Sequence, residues 1–460
     1  MIHSIKIIIK KFTPECVFKA YYYWFGFFGA LWYGFPSRKL FVVGITGTTG
    51  KTSVAYMLSR IFEEAGQSVG MISTAIIKVG KNEWYNQKKM TMLGRMQTQK
   101  LLRKMVKNKC HIAIVETTSE GIKQFRHRWI NYDVALITNL SPEHIESHGS
   151  FENYREAKGK LFFHLARCSK KHIPFLKGKT FLKTRILNMD DPHVEFFLQS
   201  SIPRTFGFGF KKENKCNFIA NECHNVVASN IKISSVSLKE SSLRFQIENI
   251  DFLLPLFGGL HHIENALAAI TVSLAAGLDM NTAAKALKKI DCIPGRLERI
   301  LETNFFDIIV DYAFEPRAME ALYQSINLLQ ERPKHIIHVA GGTGGGRDRA
   351  RRAIIGEFIG NHADIFIITD EDPYDEDPKK IMEDVGSGAK KTSMKEGENL
   401  FFIEDRRMAI RYALTLMREG DLLLVTGKGC EQAMVKKGKL LPWDDRKVVR
   451  EELEMITRND

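Results

Sequence analysis

Phe41-Val-Val-Gly-Ile-Thr-Gly-Thr-Thr-Gly-Lys-Thr-Ser53 decides how the rest of the chain is read. The apolar run Leu40–Val43 reads as a buried strand. Glycines 44, 47 and 50 follow, then Lys51 and Thr52. Behind them Val54, Met57, Leu58, Ile61 and Phe62 recur at helical spacings. Strand, glycine-rich loop and helix are the setting of a P-loop. The glycines let backbone amides wrap phosphate oxygens, and the helix N-terminus adds partial positive charge. Lys51 can reach the β- and γ-phosphates, and the Thr52 hydroxyl can ligate Mg²⁺. Ile45 stands where the general pattern has its first glycine, with Gly44 one residue early. Gly47, Thr48, Thr49, Gly50, Lys51, Thr52 and Ser53 are therefore the candidate nucleotide loop.

The 460 residues predict two or three domains, and 44% apolar content suffices for their cores. Seven scattered cysteines without a close CxxC pair indicate neither a disulfide framework nor a zinc knuckle, and favour a reducing cytosol. A net charge of +14 suggests anionic partners, either nucleotides or acidic lipid surfaces. No nucleic-acid-binding motif is present, and none is expected to function here.

Three segments are expected: an arm over 1–39, a central domain over 40–293 and a C-terminal domain over 294–460. In the arm, Ile2–Lys11 mixes isoleucine with lysine, and Ala20–Pro36 is uncharged and crowded with Tyr, Trp and Phe. That window is short for a spanning helix and rich in residues that prefer the membrane interface. It reads as a helix on the inner membrane face, a helix packed on the protein's own domain or on a partner or, least favoured, a span. No small-residue cleavage site follows it.

Beyond the loop, strands and helices alternate, which predicts a doubly wound, mostly parallel sheet. Lys78–Arg95 reads as loop or hairpin, and 205–257 as an antiparallel addition. Glu116 ends the strand His111–Val115, a usual place for an acid that holds Mg²⁺, although strands also end in solvated carboxylates. Thr138-Asn-Leu-Ser-Pro-Glu-His144-Ile-Glu-Ser-His148-Gly precedes Tyr154-Arg-Glu-Ala-Lys158. The two histidines do not make the zinc-protease pattern, because the glutamate stands third of the five. A pair like this is more often structural or solvent-facing.

Taken together, these stretches resemble the Mur ligases, ATP-dependent amide-bond formers of peptidoglycan synthesis, in their tripeptide synthetase branch. The likeness runs from about residue 40 to 435. It includes Gly258-Gly-Leu-His-His-Ile-Glu-Asn265, Ile293-Pro-Gly-Arg296, Val310-Asp311-Tyr-Ala, the loop Gly341-Gly-Thr-Gly-Gly-Gly-Arg347 and Val425-Thr-Gly-Lys-Gly-Cys-Glu431. It implies a Rossmann-like C-terminal domain, with ATP and Mg²⁺ as cofactors. By the same likeness Glu116, His144, Thr52 and Lys158 serve the metal, Lys158 as a CO₂-derived carbamate. Asn265 meets the adenine, Arg296 the phosphates and Asp311 the ribose. Thr117, Ser119, His148, Arg347, Glu371, Asp372 and Glu431 meet substrate. Lys51, Lys158, His144 and Glu116 form the expected catalytic set, acting on a nucleotide-linked muramoyl peptide and a free amino acid. Relatives carry Asp-Asn-Pro-Arg where this chain has Glu371-Asp372-Pro373-Tyr374, His-Thr where it has Phe314-Glu315, Asn for His262 and His for Cys430. The lost arginine and the acidic stretch suggest lysine or ornithine over diaminopimelate. A uridine-nucleotide domain normally precedes the P-loop in this branch, whereas here the aromatic arm precedes it. Alternatives are another acid–amino-acid ligase, folylpolyglutamate synthase-like or amidotransferase-coupled, and a membrane-tethered nucleotide-binding protein without catalysis.

Overall fold

The structure, a computed structural model, describes residues 14–143, 145–173, 180–211, 223–303, 305–346 and 349–457. The first eleven strands form one sheet. They are β1 Phe41–Thr46, β2 Val69–Ile72, β3 Ile76–Val79, β4 Asn82–Tyr85, β5 Ile112–Glu116, β6 Val134–Ile137, β7 Thr184–Asn188, β8 Arg204–Gly209, β9 Cys223–Ser235, β10 Ser241–Ile247 and β11 Ile250–Leu254. Their order is β11-β10-β9-β8-β7-β6-β1-β5-β2-β3-β4. The stretch from β9 to β2 is parallel, and an antiparallel pair closes each edge. Alternation along β1 builds both faces. Phe41, Val43 and Ile45 join a core under the helices Lys51–Glu64 and Leu260–Ala275, while Val42 points into the core under Arg95–Lys107 and Phe151–Ala166. A strand buried on both faces carries apolar residues throughout, as Phe41–Val43 does.

The antiparallel addition begins later than the sequence suggested. β8 pairs in parallel with both β7 and β9, and only β9, β10 and β11 meander. Where 78–95 reads as loop or hairpin, a hairpin forms slightly earlier, as β3–β4 over 76–85.

The C-terminal sheet comprises β12 Glu298–Ile300, β13 Asp307–Asp311, β14 Ile336–Thr343, β15 Ile365–Asp372, β16 Leu400–Phe402 and β17 Leu422–Thr426. Its order is β12-β13-β17-β14-β15-β16, parallel except at β12, with helices on both faces. This is the Rossmann-like arrangement expected. A short hairpin, β18 Ala433–Lys436 and β19 Lys439–Pro442, follows. β14 and β15 run further than expected: Gly341, Gly342 and Asp370–Asp372 belong to strands, because parallel pairing continues to Thr343↔Asp372.

The arm forms a helix, Glu15–Trp32, packed on the central domain. Trp129 Nε1 donates to the Tyr23 carbonyl (3.3 Å), and the Arg95 guanidinium lies 4.1 Å from the Tyr22 ring centre. Gly26 and Gly29 allow close approach to Trp129 and Met96. The opposite face, with Tyr21, Trp24, Phe25 and Phe28, is exposed. Among the described residues no helix is long and apolar enough to cross a membrane. The isoleucine–lysine stretch Ile2–Lys11 lies outside the described residues.

Candidate active site

The helix Lys51–Glu64 starts at Gly50, whose φ of +80° is left-handed. A Cβ there would fall 2.2 Å from Asn265 Oδ1, so glycine is required and Asn265 lies directly against the loop. The end of β6 clamps the loop from its other side. Thr49 N donates to Asn139 Oδ1 (3.0 Å), Thr48 N to the Asn139 carbonyl (2.9 Å) and Thr138 Oγ1 to the Thr49 carbonyl (2.6 Å). The loop's shape is thereby fixed by the protein's own hydrogen bonds.

Two lysines meet at its first carbonyl. Lys51 Nζ donates to the carbonyls of Gly47 (2.9 Å) and Thr48 (2.6 Å), and Lys158 Nζ donates to Gly47 (2.6 Å). Lys158 is buried on the helix Phe151–Ala166, and burial, then the neighbouring Lys51 ammonium, hold its pKa well below the lysine range. An amine that loses its proton is the nucleophile that CO₂ needs.

Glu116 lies at the end of β5, fully buried. Burial raises its pKa, opposed by the neighbouring Lys51 charge. Thr74 Oγ1 donates to Glu116 Oε2 (2.9 Å), while Oε1 is buried without a hydrogen-bond partner. An orphaned carboxylate oxygen beside a threonine hydroxyl fits a hard divalent cation. Among the described residues no three His, Cys, Asp or Glu side chains converge on a metal. Mg²⁺ here would be held by Glu116, Thr52 and the nucleotide's own phosphates. His144 and Arg347 lie outside the described residues.

The C-terminal domain closes the other wall of a cleft of about 740 Å³. Gly295 (φ +62°) turns the crossing segment against the backbone of Gly429 and Cys430, where a Cβ would clash at 2.1 Å. Arg296 is thereby aimed back at the P-loop, donating to Thr52 Oγ1 (3.2 Å) with its guanidinium 4.3 Å from the Tyr312 ring centre. Asp311 lines the cleft, and its carboxylate accepts from the amides of Leu297 and Ala313 (2.7 Å each). It thus also fixes the crossing segment.

Thr48–Ser53, Asn265, Arg296, Asp311, Glu371, Asp372 and Glu431 all line this cleft. Thr117, Ser119 and His148 are not among the residues lining it. The Thr117 hydroxyl turns into the sheet, to the Val115 carbonyl (3.1 Å) and Tyr132 (3.3 Å). Ser119 is buried against His148 (3.2 Å), so these two brace each other behind the wall. Thr118 and Glu120, one residue either side, face the cleft instead.

The acidic stretch is not a free negative surface. Asp372 accepts from Lys428 Nζ (2.9 Å), from Val435 N (2.8 Å) and from Lys89, while Glu431 meets Lys428 (2.6 Å) and Lys89 (3.0 Å). Glu371 accepts from Thr343 Oγ1 (2.9 Å), and Glu376 from Gly346 N and Arg352. Arg352 is therefore spent within its own domain.

Lys89 reaches this point from the central domain, and no motif in Asn86-Gln-Lys-Lys-Met90 marks it. Burial lowers its pKa. Glu143 and Glu315 form a second pair across the cleft. Burial, then the Glu143 carboxylate and its hydrogen bond, raise the Glu315 pKa far above the carboxylate range. Glu315 was visible in the sequence only as a departure from a family pattern; what joins it to Glu143 is the approach of the two domains.

A P-loop beside a buried, half-unpartnered carboxylate, with an arginine returned from a second Rossmann-like domain, fits an ATP-using enzyme. Comparison with known proteins gives the class its family. The Mur ligase middle domain matches residues 45–273, and the Mur ligase, glutamate ligase domain matches 295–429. The UDP-N-acetylmuramyl-tripeptide synthetase of Roseiflexus sp. (strain RS-1) is 33% identical over 430 residues, 92% of this chain and 80% of that protein. The UDP-N-acetylmuramoyl-L-alanyl-D-glutamate--2,6-diaminopimelate ligase of Alkaliphilus metalliredigens is 32% identical, covering 92% and 79%. Among solved structures, Mycobacterium tuberculosis folylpolyglutamate synthase complexed with ADP and AMPPCP has the same fold, with a TM-score of 0.64 at 17% identity over 87% of this chain and 91% of that one. The chain belongs to the Mur ligase family, ATP-dependent ligases that form carbon–nitrogen bonds.

Proposed function

We propose that this ligase adds an amino acid to a UDP-N-acetylmuramoyl peptide in peptidoglycan synthesis, through an acyl phosphate. The convergence of Lys51, Lys158, Glu116 and Arg296 on the loop Gly47–Thr52 carries the reading. The acceptor's carboxylate oxygen attacks the γ-phosphorus, and ADP leaves. The amino acid's amine, having lost a proton, attacks the acyl carbon, and phosphate leaves with the C–O bond. Lys51 and Arg296 offset the negative charge that gathers in the first step. Glu116 and Thr52 would hold Mg²⁺, which would add charge neutralisation at the phosphates. By the family likeness His144 would join the metal ligands, and Lys158 as a carbamate would supply oxygens where its ammonium would repel the ion. Asn265 and Asp311 position the nucleoside. Two domains, 40–293 and 294–460, close around Pro294–Arg296 and keep water from the acyl phosphate. Lys51→Ala is expected to abolish ATP turnover in an ADP-release assay on a folded protein. Wild-type turnover by that variant would overturn the site.

For the incoming amino acid, the place assigned to a carboxylate-gripping arginine holds Tyr374. Without a bidentate partner, the far carboxylate of diaminopimelate would be desolvated unpaired. L-lysine is therefore expected to exceed meso-diaminopimelate in kcat/KM by ten-fold or more, on the order of what one lost charged contact costs. The support is the missing arginine rather than surplus acid, since Lys89 and Lys428 already meet Asp372 and Glu431. A preference for diaminopimelate that Lys89→Met removes would assign the lost arginine's role to Lys89.

The exposed aromatic face of Glu15–Trp32 supports a place on the inner membrane surface for an otherwise cytoplasmic enzyme.

A further inference from the structure

We infer that the cleft between the aromatic helix Glu15–Trp32 and the helix Arg95–Lys107 binds the phosphate head of an anionic membrane lipid. This deepens the membrane reading of the arm and is independent of the ligase chemistry. The cavity measures about 930 Å³. Its walls are apolar, with Leu31, Trp32, Trp84, Leu93 and Leu101. Lys88, Lys100, Arg103, Lys104 and Lys107 also line it, and no Asp or Glu does. Lys100, Arg103 and Lys107 follow one another at spacings of three and four, so they share a helix face. Lys104 sits 4.8 Å from the Trp84 ring centre. Among the described residues Lys88, Lys100, Arg103 and Lys107 form no ion pair. Cations gathered without counter-charge over an apolar floor suit a ligand that is anionic at one end and greasy at the other.

The adjoining surface shows where the greasy end would go. Leu31 (52% exposed) and Trp32 (80%) belong both to the cavity and to the exposed stripe that continues through Phe28, Phe25, Trp24 and Tyr21. Tyr and Trp favour the headgroup level of a bilayer, which sets the cleft at the depth of lipid phosphates. A second copy of the chain fits poorly, because a two-fold contact through this face would set the same five cations against themselves.

The test uses the full chain and a K100Q/R103Q/K107Q variant. Partition onto vesicles of equal parts phosphatidylglycerol and phosphatidylcholine should fall roughly a hundred-fold in the variant, from about five-fold per removed cation near an anionic surface. ATP turnover should be unchanged, which reports a folded chain. Tryptophan emission of the wild type should respond saturably to monomeric dihexanoyl phosphatidic acid. Dihexanoyl phosphatidylcholine and inorganic phosphate should have no such effect. Equal partition of the variant and the wild type would overturn the proposal. An equal response to inorganic phosphate would overturn the lipid assignment in favour of a free-anion site. Concentration-dependent dimerisation lost in the variant, without vesicle binding, would reassign the face to a second copy. Vesicle binding that F28S abolishes, with no response to short-chain phosphatidic acid, would leave the arm on the membrane and remove the headgroup site.

Discussion

Lys158→Ala is expected to lower kcat on the order of 10²–10³-fold, the usual loss when one preorganised charge-stabilising group is removed. Formate or acetate should restore part of it. The side chain is buried, its amine 2.6 Å from the Gly47 carbonyl and beside the Lys51 ammonium. Two ammonium groups sharing one carbonyl in a dry site oppose each other. The pressure is relieved when Lys158 gives up its proton, and the neutral amine can then add CO₂. The carbamate would exchange a repulsive neighbour of Lys51 for an attractive one and offer two oxygens to a cation. A small carboxylate entering the space vacated by the lysine would mimic that group. Full activity of the alanine protein in CO₂-free buffer would exclude the carbamate. Equal losses with no rescue by any carboxylate would leave Lys158 a loop brace, holding the Gly47 carbonyl in place.

The second large effect is on stability and lies away from the cleft. Arg406 and Asp445 form a bidentate pair, Nε–Oδ1 2.8 Å and Nη2–Oδ2 2.7 Å, with neither side chain exposed. The pair ties the helix Arg406–Leu416 to Asp445–Thr457, and the guanidinium also caps the Thr426 carbonyl at the end of β17 (2.8 Å). Asp445→Ala strands a buried charge and should cost about 3–5 kcal/mol. That corresponds to a fall in the C-terminal domain's Tm on the order of 10 °C, since about 1 kcal/mol shifts a domain of this size by a few degrees. The Trp443 indole, which donates to Asp445 Oδ1 (2.8 Å), would lose its acceptor as well. Removing both charges in R406M/D445L should recover much of the loss, because a packed apolar pair has no ion to desolvate. An unchanged melting curve for Asp445→Ala would show that water reaches Arg406.

What the sequence by itself determined was local. The P-loop, the strands beside it and the acid at the end of β5 follow from period-two and period-3.6 patterns within a dozen residues, and the order of motifs identified the family. Tertiary structure decided the rest, because the deciding contacts join distant segments. Thr117 and Thr118 are adjacent and alike in composition, and only the exit angle of β5 determines which hydroxyl faces the cleft. The acidic stretch looked like surplus charge until Lys89 and Lys428 were brought against it. Glu143 and Glu315 become a carboxyl pair only when the domains meet. The aromatic run of the arm has no polar side in sequence. Packing on Trp129 and Met96 divides it into a buried face and an exposed one, since burial depends on which neighbour is present and not on residue type alone.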